Sequence, residues 1–296
     1  MQENEKTSCH LVRIGATRFL STMLSRPQAL FVLLVLSAVS PVAAQGLGPL
    51  SSSPDHLQRY TDCMKLARKE PLKALPAAEK WMAEGGGLGA RHCVALAMFE
   101  AGKHIQAATQ LEAIARDMGT ERPGLRAELW AQAGQAWMEA GQAENAAAAQ
   151  SRALELKTND PDLWLDRGLS YAAMRAWPRA ISDFDNALIM RPKDVEILVL
   201  RAAAWRNSGN PARALADAEN ALKIAPDHSE ALLERGFAAL SRGDKPVASA
   251  DFTKVLGLVP PGSDAARRAE AGLRDEQPGA AAPVPPPAPA KGGGKR

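Results

Sequence analysis

Histidine and cysteine are scarce in this 296-residue chain, five and three respectively, and neither clusters. His10, His56, His92, His104 and His228 share no common interval, so no metal-ligand set of known spacing exists. A Gly-rich phosphate loop, an HExxH helix and a GxSxG elbow are missing too, and the Gly85 to Gly87 run closes a helical stretch instead of opening one after a strand. Together these absences argue against enzymatic chemistry, a metal and a cofactor. Long apolar runs are also lacking: Ala29 to Val39 is 11 residues, too short to span a bilayer comfortably. That run follows Arg26 and precedes Val42, Ala43 and Ala44, which reads as a secretory signal cut after Ala44, with Met23 as the true start. The expected location is periplasmic, with no integral span after cleavage; the alternative is an uncleaved inner-membrane anchor facing the periplasm. Without residues 1–44 the chain has 32 basic and 31 acidic residues, a balance that excludes a nucleic-acid partner.

What is present is a repeat. Arg167, Arg201 and Arg235 are 34 residues apart, as are Asp183, Asp217 and Asp251, and Pro192, Pro226 and Pro260. Self-similarity at this period marks a solenoid whose two-helix units bury their apolar faces only by stacking on neighbours. In residues 161–194, Asp160 is a good N-cap and Pro161 sits where a helix tolerates its missing N–H, after which Trp164, Gly168 and Tyr171 recur at helical spacing. This predicts helix A of the unit. Ala180, Phe184, Ala187 and Leu188 form a second stripe that stops at Pro192, which predicts helix B. Sister units place Gly141, Gly209 and Gly243 in the turn between the helices, and the small Gly134, Gly168 and Gly236 let A and B approach closely.

These residues resemble the tetratricopeptide repeat pattern of Trp, Gly, Tyr, Ala, Phe, Ala and Pro over 34 positions. Residues 161–194 carry all seven, at Trp164, Gly168, Tyr171, Ala180, Phe184, Ala187 and Pro192. The resemblance implies an all-α, right-handed α-solenoid of helix-turn-helix repeats with a C-terminal capping helix. Four repeats are expected, 127–160, 161–194, 195–228 and 229–262, preceded by a linker at 45–54, two degenerate hairpins over 55–121 and a connector at 122–126. In the first hairpin Asp62 stands where a small residue belongs. A capping helix is expected over 263–276, begun by Ser263 and Asp264, because a solenoid needs a polar lid. The Pro, Ala and Gly-rich tail at 277–296 lacks apolar residues to offset chain entropy and is expected to be disordered.

Cys63 and Cys93 fall on the first helices of successive units, which lie side by side in such a solenoid, so an exported chain is expected to join them; the alternative is two buried thiols. The Arg167/Asp183, Arg201/Asp217 and Arg235/Asp251 pairs, each 16 apart, are expected to fix how A closes on B by charge-assisted hydrogen bonds. The resemblance further implies a concave groove built by helix A residues that holds a partner protein as a peptide or helix. Its expected floor is Leu165, Leu169, Val199, Leu233, Phe237 and Leu240, with Arg206, Asn207, Glu128, Glu139, Glu196 and Glu230 as a polar rim; the alternative is that these apolar residues merely pack against neighbouring A helices. Leu165 and Leu169 replace the charge and amide that the family's chaperone-tail clamp requires. The leading reading is a scaffold in the bacterial envelope that binds another protein. The alternative is a glycan- or small-molecule-binding accessory subunit of a cell-wall enzyme.

Overall fold

The computed structural model describes residues 54–120 and 122–276, so the expected signal, the linker before Pro54 and the tail lie outside the described residues. Among the described residues there are thirteen helices and no strand. They form six consecutive hairpins: α1 (Pro54–Lys69) with α2 (Pro71–Ala83), α3 (Gly87–Glu100) with α4 (His104–Asp117), α5 (Pro123–Glu139) with α6 (Ala143–Leu156), α7 (Pro161–Ala173) with α8 (Trp177–Met190), α9 (Val195–Asn207) with α10 (Pro211–Ile224), and α11 (Ser229–Ser241) with α12 (Lys245–Leu258). A last helix, α13 (Asp264–Glu276), packs on α11 and α12. This is the all-α solenoid of tetratricopeptide type that the 34-residue columns predict.

The punctuation of each unit is chemical. Asp160 accepts from the Asp162 N–H at 3.0 Å, and Asp194 accepts from the Glu196 and Ile197 N–H groups, which satisfies donors that the first helical turn leaves unpaired. Pro192, Pro226 and Pro260 each stand two residues beyond a B helix and prevent its continuation. In the A-to-B turns Gly141, Gly209 and Gly243 adopt φ of 72°, 84° and 82°. Arg175 fills the same turn position at φ 57°, the one described residue other than glycine with positive φ.

Close approach of A and B also depends on glycine. A Cβ on Gly168 would lie 2.6 Å from the Phe184 ring, and one on Gly236 would lie 2.7 Å from the Phe252 ring. Both rings are completely buried. Gly272 of α13 abuts the other side of Phe252, so the lid docks on the same ring that closes the last hairpin.

The structure corrects the expected connector at 122–126, because α5 begins at Pro123 with Arg122 at its N-cap. At the N-terminal end, Asp62 is exposed on α1 and makes no glycine-like approach to α2. The Cys63–Cys93 disulfide ties α1 to α3 instead, with the two Cα atoms 6.1 Å apart. Trp81 of α2 supplies the aromatic of this end, packed beside Tyr60, Gly86 and Gly89.

Candidate functional site

Neighbouring A helices touch directly, α1 with α3, α5 with α7, α9 with α11 and α11 with α13, and no two B helices touch to the same extent. The A helices therefore line the inner face, and the question is which of their side chains reach it. Leu165, Leu169, Val199 and Leu233 do not. They are 8%, 9%, 1% and 0% exposed and belong to the continuous core. The expected apolar floor is thus packing between units, a correction whose cause is the closeness of successive A helices. Phe237 and Leu240 remain partly exposed.

Phe237 sits inside a closed charge network. Arg206 donates to Glu234 from Nε at 2.8 Å and from Nη2 at 3.2 Å, while Arg268 of α13 donates to Glu230 at 2.6 Å and to Glu234 at 3.2 Å. The guanidinium carbons of Arg206 and Arg268 lie 5.4 and 5.9 Å from the Phe237 ring centre, and the Phe252 ring lies 4.9 Å away. Glu234 is fully buried, with two arginines as its counter-charge. Asn207 turns its amide back to the Ala203 carbonyl at 2.8 Å. Arg206 and Phe237, expected at a groove, thus hold the lid.

The arginine column closes the hairpins by forks. Arg167 donates to Asp183 at 2.8 and 2.9 Å, Arg201 to Asp217 at 2.8 and 2.6 Å, and Arg235 to Asp251 at 2.7 and 2.6 Å. A further nitrogen reaches back to the preceding unit: Arg201 Nη1 donates to Asp185 at 2.6 Å and Arg167 Nη1 to the Ser151 hydroxyl at 3.1 Å. One guanidinium therefore fixes both the closing of its own hairpin and the stacking on the previous one. Arg201→Ala strips a nearly buried Asp217 of its partner and removes the rung to Asp185. Expected is a loss of about 2 to 3 kcal/mol in urea unfolding followed by circular dichroism. A change below about 0.5 kcal/mol would show that water replaces the arginine without cost.

The inner face carries polar residues at places the sequence reading passed over. Gln132, Asp166, Leu200, Glu234 and Arg268 form one 34-residue column along successive A helices. At its N-terminal end the Tyr60 hydroxyl lies 2.8 Å from His92 Nδ1, and His92 Nε2 lies 2.7 Å from Gln132 Oε1. Burial pushes the His92 pKa down and that of Tyr60 up, so both are neutral members of a buried relay. Asp162 is held by Arg191 through bonds of 2.6 and 2.7 Å, and Asp160 by Lys157 at 2.9 Å. Asp166 is 9% exposed, and its carboxylate has no hydrogen bond or ion pair among the described residues. Burial first, then the charges of Asp162 and Asp160, push its carboxyl well above the usual range. The 34-residue spacing was legible in the sequence, but the column mixes residue types and so imitates a solvated face. His56, His92, His104 and His228 are dispersed, and among the described residues no three histidine, cysteine or acidic side chains converge to hold a metal ion.

No protein-family model and no curated protein matches the sequence. Solved structures do match the fold. A crystal structure of MamA superposes with a TM-score of 0.51 at 15% identity, covering 60% of this chain and 97% of that one. A second MamA crystal structure gives 0.50 at 15% identity, covering 67% of this chain and all of that one. At such identities the likeness is one of fold, an all-helical solenoid of tetratricopeptide type.

Proposed function

We propose that this chain is a non-enzymatic scaffold of the bacterial cell envelope that holds a segment of a partner protein, peptide or helix, against the inner face of its A helices. The observation that carries the reading is the column Met138, Ala172, Arg206 and Leu240. These residues are 34 apart, occupy the same place on α5, α7, α9 and α11, and are all partly exposed. A position buried in successive units serves stacking. A position partly exposed in successive units is available to a ligand that runs across them, as extended solenoid surfaces permit. Three of the four are apolar, which suits a peptide or helix with an apolar edge, while the fourth, Arg206, is engaged by Glu234.

Export is supported by the Cys63–Cys93 disulfide, since such bonds persist in oxidising compartments. No helix among the described residues is long and apolar enough to cross a membrane. The signal and the anchor alternative both rest on residues 1–44, and N-terminal sequencing of the exported protein separates them, with Gln45 expected first.

The direct test of the face is a pair of substitutions. Met138→Asp with Leu240→Asp is expected to lower affinity for the captured partner by about tenfold or more, because each charge meets an apolar contact, while helicity is retained. Ile189→Asp on the outward side of α8, where the side chain is 77% exposed, should change capture less than about twofold. Full capture by the double variant would remove the inner face from the function.

A further inference from the structure

The inner face treats its buried carboxylates unequally. Glu234 is fully buried and receives both Arg206 and Arg268; Asp162, 9% exposed, receives Arg191. Asp160 receives Lys157 and caps α7. Asp166 is as buried as Asp162, lies one turn further along the same face of α7, and receives nothing among the described residues. Glu128 on α5, half-buried, also makes no hydrogen bond or ion pair there; burial raises its pKa most, the Lys157 charge opposes this and Asp160 adds to it. Asp160, Asp162 and Asp166 thus lie close together at the start of α7, and among the described residues Lys157 and Arg191 pair with the first two. A largely buried carboxylate without a counter-charge is costly, and stacking does not require it, since Leu200 holds the equivalent place one unit later.

We propose that Asp166, one turn beyond Asp162 on α7, is a pocket for one lysine or arginine side chain of the partner segment bound on the inner face. The inference rests on the scaffold reading above and names what that face selects. A metal ion is a poor occupant, because no three acidic, histidine or cysteine side chains converge to ligand distance among the described residues. A free polyamine would leave the inner column of Met138 and Ala172 without a role, whereas an extended segment places apolar side chains on that column and its cation on Asp166. A guanidinium or ammonium ion supplies the hydrogen-bond donors that Asp166 lacks. The same buried, unpaired carboxylate lowers stability of the free protein, the usual signature of a residue kept for function. Its folded pKa is raised above the ordinary 3.8, so the stability it lends as a neutral acid is present below 3.8 and is lost as pH rises through the elevated value.

The test uses the full chain and three fluorescein-labelled synthetic peptides of equal length, repeating Ala-Leu-Arg, Ala-Leu-citrulline and Ala-Leu-Glu, with binding read by anisotropy. Expected is binding of the arginine peptide about tenfold or more tighter than of the other two, reduced to their level by Asp166→Asn. Glu155→Gln, on the exposed end of α6, should leave binding within about twofold. Asp166→Asn should also melt higher than the parent at neutral pH, which excludes misfolding as the cause of lost binding. Equal binding of all three peptides, or undiminished arginine-peptide binding by a folded Asp166→Asn protein, would overturn the cation pocket. Either result leaves the inner-face scaffold standing if Met138→Asp with Leu240→Asp still abolishes partner capture. If deletion of residues 277–296 tightened arginine-peptide binding about tenfold, the occupant would be the chain's own Lys291, Lys295 and Arg296, and the assignment to a partner would fall.

Discussion

Phe184→Ala is expected to cost about 3 to 5 kcal/mol of unfolding free energy, the range for truncating a fully enclosed aromatic. The ring is 0% exposed and its edge rests on Gly168, so close that a Cβ there would stand 2.6 Å away. Neither helix can slide inward to fill the void, because α7 and α8 are also fixed by the two bonds from Arg167 to Asp183. The cavity therefore persists, and its lining loses dispersion contacts on one side. Urea unfolding monitored by circular dichroism reads the loss. Hydrogen exchange should locate it first in α7, α8 and the helices stacked on them, since a solenoid transmits instability through nearest neighbours. A loss below about 1.5 kcal/mol would mean that the hairpin repacks freely and that the glycine column does not set its spacing.

Breaking the Cys63–Cys93 bond is the second large effect. The bond spans 30 residues of sequence, and loop-closure entropy at that length amounts to about 3 to 4 kcal/mol. The loss should fall on α1, α2 and α3, where the first hairpin lacks the glycine contact of later units and Trp81 and Tyr60 pack with small residues such as Ala67, Ala74 and Ala78. Cys63→Ser is the informative variant, because Cys63 is partly exposed whereas Cys93 is completely buried. Expected is early exchange of amides in α1 and α2, with α7 to α12 as protected as before. Unchanged protection at α1 would show that the hairpin is held by packing alone.

The architecture was legible because a repeat displays the same physical requirement several times. Gly168 and Gly236 occupy a place where only a missing side chain admits the aromatic ring opposite, so they recur in register with Phe184 and Phe252. Arg167, Arg201 and Arg235 recur because a fork-shaped donor fits the carboxylate 16 residues later. The second reach of each arginine was hidden, since Ser151 and Asp185 answer it with different chemistry in different units. Burial on the A helices was hidden as well. Leu165, Val199 and Leu233 look like a groove floor in a helical projection, and so does Leu240. Only the packing of neighbouring A helices decides that the first three are enclosed and that Leu240 stays partly exposed. Asp166 escaped notice for a related reason. A lone aspartate in an amphipathic helix reads as solvated until its neighbours enclose it.

The location of the binding face is tested most directly by photo-crosslinking in the producing cells, with benzoylphenylalanine placed singly at Met138, Leu240, Leu72 and Ile189. Met138 and Leu240 lie on the inner column; Leu72 and Ile189 lie on B helices and are 75% and 77% exposed. Adducts to one common protein from the two inner positions, and none from the outer two, are the expected result. Adducts confined to Leu72 or Ile189 would contradict a scaffold that holds its partner on the inner face of the A helices.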